Sequence, residues 1–189
     1  MTLFSKVQLY NQMMSARVEL DQGFIEQASE KILKKIFLID EVRTATRIGL
    51  YCSKKGDVLT DGIFKQASLH RKELYYPLVA KDKLISCRVV SLDELKPRED
   101  GMLMPCPGKR ELKDYNELDV IFVPGLAFSV AGGRLGFGGN RWDRCLDDFR
   151  GKRIALTFDF QVFPDFPVSI RKRKVDWIIT ESKIILCRS

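Results

Sequence analysis

Residues 119–146 read DVIFVPGLAFSVAGGRLGFGGNRWDRCL. The opening DVIFVP (119–124) is a short continuous apolar run, the composition of a strand buried on both faces of a parallel sheet. It leads into a glycine-rich stretch that carries one cation, Arg134, and then into Arg141–Phe149, which reads as a helix. Glycine lets backbone approach a ligand closely and take φ > 0, and the first turn of a helix offers unpaired N–H groups. The expectation is therefore a phosphate or nucleotide cradle, with Arg134 as its charged clamp and Asp143 as a metal-ligand candidate. The other reading of the same residues is a glycine-rich hairpin near a sheet edge.

Outward from this segment, apolar periodicity assigns the remaining elements. Leu3, Val7, Tyr10, Met14 and Val18 recur at helical spacing, as do Phe24, Ala28, Ile32 and Ile36, and Gly23 separates these two N-terminal helices. RIGLYC (47–52), ELYYPLV (73–79), KLISCRVV (83–90), RIALTFDF (153–160), VDWIIT (175–180) and KIILCR (183–188) read as strands, with a helix over 60–71. Ser91 is placed to cap a short SLDEL turn, with Glu94 answering it. Pro97–Gly108 holds three of the seven prolines and reads as a surface loop. Strands alternating with helices predict a single α/β domain over residues 1–189, a three-layer α/β/α arrangement around a mostly parallel sheet.

Composition narrows the function. Thirty-two basic against 25 acidic residues give a net charge of +7 over 189 residues, which fits an enzyme for anionic substrates. The positive charge is scattered except at Arg171–Lys174, so a nucleic-acid face has little support. Five cysteines, at 52, 87, 106, 145 and 187, form no CxxC pair, and His70 is the single histidine. These read as free thiols of a reducing compartment, with no zinc site. The N-terminus lacks a signal-peptide core, and no apolar run reaches the ~18 residues of a membrane span. A cytoplasmic monomer is expected, with no membrane partner. One histidine and no GxSxG leave no Ser–His–Asp or Cys–His system, and His70 sits at a helix end beside Arg71 and Lys72, a solvated position. No Gly-Lys-Ser/Thr follows the glycines, and Arg141 stands where GxGxxG needs its third glycine.

VPGLAF, then RLGFGG, then the downstream Asp143–Arg144 pair resemble the signature of the 5-formyltetrahydrofolate cyclo-ligase family, P-G-x-x-F-D followed by R-L-G-Y-G-x-G-Y-Y-D. Lys6 and Leu9 sit as in that family's N-terminal K-x-x-L-R. YCSKKGDVLT (51–60), ELYYPLV, MPCPG and VDWIITES resemble further segments, in the same order, from Lys6 to Glu181. The resemblance implies ATP-dependent ring closure. The formyl oxygen of 5-formyltetrahydrofolate is phosphorylated, the neighbouring amine attacks the activated carbon, and phosphate leaves to give 5,10-methenyltetrahydrofolate. Such chemistry asks a protein mainly for positioning and charge neutralisation.

Carried over residue by residue, the resemblance places Lys6 and Arg134 on the ATP phosphates, with the backbone N–H groups of Gly136, Phe137, Gly138, Gly139 and Asn140 as the cradle. Arg134 and Asp143 become the catalytic pair, Asp143 holding Mg²⁺, a hard cation that favours carboxylate and phosphate oxygen. Trp142 is grouped with the ATP-binding residues; stacking on the pterin or a place in the helix core are its alternatives. Cys52, Asp57 and Arg141 face the folate.

Several positions depart from the family pattern. Tyr10 replaces an arginine, Ser129 an aspartate, Asn140 a loop glycine, Arg141–Trp142 a Tyr-Tyr pair, and Ser169-Ile170-Arg171-Lys172 the E-x-H-D run. The changes at Tyr10, Ser129, Arg141 and Lys172 support a second reading, a paralogue on the same scaffold that binds a nucleotide or phosphorylated ligand without ring closure, since fold does not fix function. A third, a nucleic-acid-binding module, rests on the net charge and RKRK alone and lacks a basic stripe interleaved with aromatics.

Overall fold

The computed structural model describes residues 5–80, 83–98, 101–106, 111–138, 141–166 and 174–187. Three helices come first: α1 (Lys6–Val18), α2 (Gln22–Ile36) and α3 (Asp40–Thr44). Then β1 (Arg47–Gly49), α4 (Asp61–Leu69), β2 (Glu73–Ala80) and β3 (Lys83–Arg88) follow. The middle of the chain supplies β4 (Leu95–Pro97), β5 (Leu103–Pro105), β6 (Leu112–Lys113) and β7 (Val120–Val123). The remainder is β8 (Ala127–Ser129), β9 (Arg134–Leu135), α5 (Arg141–Asp148), β10 (Lys152–Leu156), β11 (Val162–Phe163), β12 (Trp177–Ile179) and β13 (Ile184–Leu186).

Eight strands form one sheet in the order β13-β12-β10-β7-β1-β2-β3-β6. The run from β12 to β2 is parallel, and antiparallel β13 and β3–β6 finish its two sides. β7 is buried along its whole length and pairs in parallel with both β1 and β10. Its side chains alternate between two cores, as the pleat requires. Val120 and Phe122 join Ile48, Leu156 and the apolar faces of α2 and α4, whereas Ile121 and Val123 join Ala155, Ile178 and Leu146 of α5. Each such fully buried side chain contributes roughly 1.5–3 kcal/mol of transfer free energy. Helices thus cover both faces of a mostly parallel sheet.

The connections decide where a ligand can sit. From β1 the chain passes through α4 to β2 on one side, and from β7 it passes through α5 to β10 on the other. The two crossovers diverge between β1 and β7, and at such a switch point a crevice opens outside the carboxyl ends of the strands.

Several expected elements take a different form. The strand read over 47–52 leaves the sheet after Gly49, although Leu50 N–H still donates to Tyr75 C=O at 2.8 Å. This early exit frees Tyr51 and Cys52 to line the crevice. The strand read over 153–160 ends at Leu156, because Thr157 and Phe158 turn to bond the Gln161 side chain. Within the loop read over Pro97–Gly108, Leu103–Pro105 pairs with Leu95–Pro97 in an antiparallel hairpin, and residues 107–108 lie outside the described set. Ser91 does cap its turn, but the carboxylate that receives its hydroxyl is Asp93, at 3.2 Å. In α1 the buried positions are Leu9, Met13 and Arg17, while Val7 and Val18 are exposed, so the helix presents a face other than the one its apolar spacing selects. His70 ends α4 on the surface, none of the five cysteines is in a disulfide, and no described helix is long and apolar enough to cross a membrane.

Candidate active site

The glycine-rich segment divides into two parts with different tasks. Ala127–Ser129 and Arg134–Leu135 pair antiparallel, so the first glycines do form a hairpin turn. Ser129, where the family pattern has aspartate, is buried and its hydroxyl accepts from Gly133 N–H at 2.9 Å. That side chain closes the turn. The hairpin is held in place by Gln161, whose amide donates to the Gly125 and Leu126 carbonyls at 3.3 and 2.9 Å. Gly136 to Gly138 follow the hairpin and face the crevice. Gly138 has φ +95, a left-handed conformation that side chains with a Cβ rarely adopt.

The crevice is a cavity of about 180 Å³. One wall is Tyr51, Cys52, Lys54 and Asp57, from the segment after β1. A second, apolar wall comes from Pro77, Val79 and Leu84 together with Met102–Met104 of the β4–β5 hairpin. The third is Pro124, Arg134, Gly136–Gly138 and the start of α5, Arg141–Asp143. The structure therefore brings together Cys52, Asp57, Arg134, Gly136, Phe137 and Gly138 with Arg141, Trp142 and Asp143. Lys6 is exposed on the first turn of α1 and does not line this cavity. Gly139, Asn140 and residues 169–172 lie outside the described set.

Arg134 is held by Pro124 and Asp143. Its Nε donates to Pro124 C=O and its guanidinium to Asp143 Oδ1, each at 2.8 Å, and its side chain is 2% exposed. A Cβ on Gly136 would stand 2.8 Å from that guanidinium, so the fork lies flat against the loop backbone. Asp143 is on the first turn of α5, where the helix dipole favours an anion. Trp142 lines the cavity and also packs edge-on against Tyr115, ring centroids 6.1 Å apart.

On the opposite wall Asp57 is buried, with Oδ1 accepting from Arg17 at 2.6 Å and Oδ2 from Lys54 N–H at 2.9 Å. Burial raises its pKa, and the Arg17 charge works against that rise. Cys52 is pushed up to about 12, first by burial and then by the nearby Asp61 charge, so it stays a thiol at neutral pH. Arg17 is the residue that sequence reading passed over. Its signal was a cation four residues beyond Met13 and eight beyond Leu9, on the buried face of α1.

The 5-formyltetrahydrofolate cyclo-ligase family model matches residues 4–181. The chain belongs to this family. Among curated cyclo-ligases, that of Haemophilus influenzae is 28% identical over 75% of this chain and 79% of its own length. That of Mus musculus is 27% identical over 87% of this chain and 91% of its own length. The NMR structure of Aquifex aeolicus 5,10-methenyltetrahydrofolate synthetase superposes with a TM-score of 0.86 at 30% identity, covering 97% of this chain and 93% of that one. The Mycoplasma pneumoniae 5,10-methenyltetrahydrofolate synthetase shares the fold, with a TM-score of 0.74 at 22% identity over 94% and 99% of the two chains. Family membership places an enzyme of the cyclo-ligase kind on this scaffold.

Proposed function

We propose that this chain, a cytoplasmic monomer, catalyses the ATP-dependent cyclisation of 5-formyltetrahydrofolate to 5,10-methenyltetrahydrofolate, releasing ADP and phosphate. One observation carries the reading: a single cavity joins a cationic, glycine-lined wall to an apolar wall and a buried carboxylate. The first suits phosphates and the others suit a flat heterocycle with a polar edge.

Arg134 neutralises charge at the phosphoryl group, and the Gly136–Gly138 backbone lets the triphosphate approach closely. Asp57 orients the folate from the far wall, Cys52 and the Met102–Met104 segment exclude water, and Arg141 stands at the start of α5 to meet an anionic group. Bound Mg²⁺ supplies charge neutralisation on the phosphate oxygens. Among the described residues no group of three or more His, Cys, Asp or Glu could hold a metal. Asp143 alone is the donor set expected when Mg²⁺ arrives on the nucleotide, since that ion takes one or two carboxylates and fills its shell with phosphate oxygen and water.

The departure at Ser129 weighs less for a non-catalytic paralogue, since its hydroxyl serves the hairpin turn. Mixing the protein with ATP, Mg²⁺ and 5-formyltetrahydrofolate tests the reading through the absorbance rise of the methenyl product. ATP binding without that rise transfers the chain to the paralogue reading.

A further inference from the structure

Arg17 stands between two walls of the cavity. Its Nη2 donates both to Asp57 Oδ1 at 2.6 Å and to Lys55 C=O at 3.1 Å, while its Cζ lies 5.0 Å from the centroid of the Phe137 ring. Asp57 belongs to the substrate wall and Phe137 to the glycine loop. We infer that Arg17 is a positioning residue that ties these two walls, so that occupancy at Asp57 presets the loop that receives the triphosphate. The inference rests on the ring-closing reading for the identity of its two ligands.

The geometry suits a rigid link. A guanidinium is planar and delocalised, so its edge can hold carboxylate and carbonyl oxygen while its face lies on an aromatic ring. Displacing the edge therefore tilts the face. The Asp57 end has little slack: Oδ2 is held by Lys54 N–H, and Asp57 N–H donates to Lys54 C=O at 2.9 Å. The turn is also seated directly on α1. Gly56 has φ +79, and a Cβ there would lie 3.0 Å from the Arg17 carbonyl oxygen. Arg17 itself is buried, with 6% of its side chain exposed, so the guanidinium has no solvent position to relax into without leaving the site. A substrate donor that takes the place of Arg17 on Asp57 Oδ1 shifts the guanidinium, and the guanidinium carries the shift to Phe137. Linkage makes the effect reciprocal: a nucleotide that moves the loop changes affinity at Asp57 by the same factor.

Two measurements test this. In the first, a non-hydrolysable ATP analogue is titrated calorimetrically into the protein with and without saturating 5-formyltetrahydrofolate. The expected result is at least about a fivefold change in nucleotide affinity in the unmodified chain, and less than about twofold in Phe137→Leu and Arg17→Lys. The first variant keeps the Arg17–Asp57 pair and removes the ring; the second keeps the charge and removes the plane. A purely structural Arg17 would lower both affinities and leave their ratio alone, and an unchanged ratio in both variants overturns the inference. In the second measurement, amide exchange is followed without any ligand. Asp57→Asn is expected to speed exchange at Phe137 and Gly138 severalfold, and to do so only while Arg17 is present. Exchange that is indifferent to Asp57 overturns the tie. If the unmodified chain binds neither ligand, the ring-closing reading fails, and this second arm still decides the role of Arg17.

Discussion

Arg134 donates to Asp143 at 2.8 Å, so the cation expected on the phosphates and the carboxylate expected on the metal hold one another. The pair fixes two opposite charges at the cavity wall. Arg134→Lys keeps the charge but loses the fork that reaches Pro124 C=O and Asp143 together. The expected outcome is a fall of ~10²–10³-fold in kcat, read from the rate of methenyl absorbance, with thermal stability within a few degrees of the parent. Parental turnover in this variant would remove Arg134 from the phosphoryl site.

Asp143→Asn separates the metal role from the ion-pair role. The amide still accepts a hydrogen bond from Arg134 but is a poor ligand for Mg²⁺. The half-saturating Mg²⁺ concentration for nucleotide binding is expected to rise by about tenfold or more, measured by titration at fixed ATP. A metal dependence identical to the parent would assign Asp143 to orienting Arg134 alone.

The Arg17–Asp57 pair also sets a stability expectation. Both side chains are 6% exposed, and Arg17→Met leaves a carboxylate buried without its counter-charge. Breaking a buried pair from one side costs ~3–5 kcal/mol. Urea unfolding should show that loss, and combining Arg17→Met with Asp57→Asn should recover most of it. A double variant as unstable as the single one would place the cost in lost packing around the Arg17 stem.

Cys52 and Cys145 are both pushed up to about 12 by burial, from an ordinary thiol value of 9.0. A raised folded-state pKa gives stability that is complete below the unfolded value and is lost as pH rises. Between pH 9 and pH 12 each thiol therefore weakens the fold by ~1.4 kcal/mol per pH unit, because the unfolded chain has already released its proton. Stability measured by denaturant titration should fall over that window, and less steeply in Cys52→Ala. At pH 8, iodoacetamide should modify exposed Cys106 well before Cys52, and bound folate should slow Cys52 further because that thiol lines the cavity.

Much of the fold was legible because β7 carries an uninterrupted apolar run that only a doubly covered strand can bury, and because Arg134, Gly136 and Asp143 follow it at once. What escaped reading has a common cause. Periodicity weighs hydrophobicity, so it selected Val7 and Val18 on α1 and ignored Arg17, which is buried because a carboxylate 40 residues away pays its desolvation. The Pro97–Gly108 stretch looked like a loop because its strand, Leu103–Pro105, is only three residues long and pairs only with the equally short Leu95–Pro97 among the described residues. The apolar cavity wall that this hairpin supplies, Met102–Met104, was hidden for the same reason. Distant pairing leaves no mark on local spacing.

Trp142 has a practical consequence. It is one of two tryptophans, and the other, Trp177, lies on β12 and donates to Glu41 at 3.4 Å without lining the cavity. An indole at the cavity wall, braced edge-on by Tyr115, is a native fluorophore beside the proposed ligand site. On the proposed reaction its emission is expected to change on ligand binding, before any bond is made, whereas the methenyl absorbance would report only the closed ring. Followed together in a rapid-mixing experiment, the two signals give the order in which nucleotide, folate and chemistry succeed one another, with no label attached to the protein.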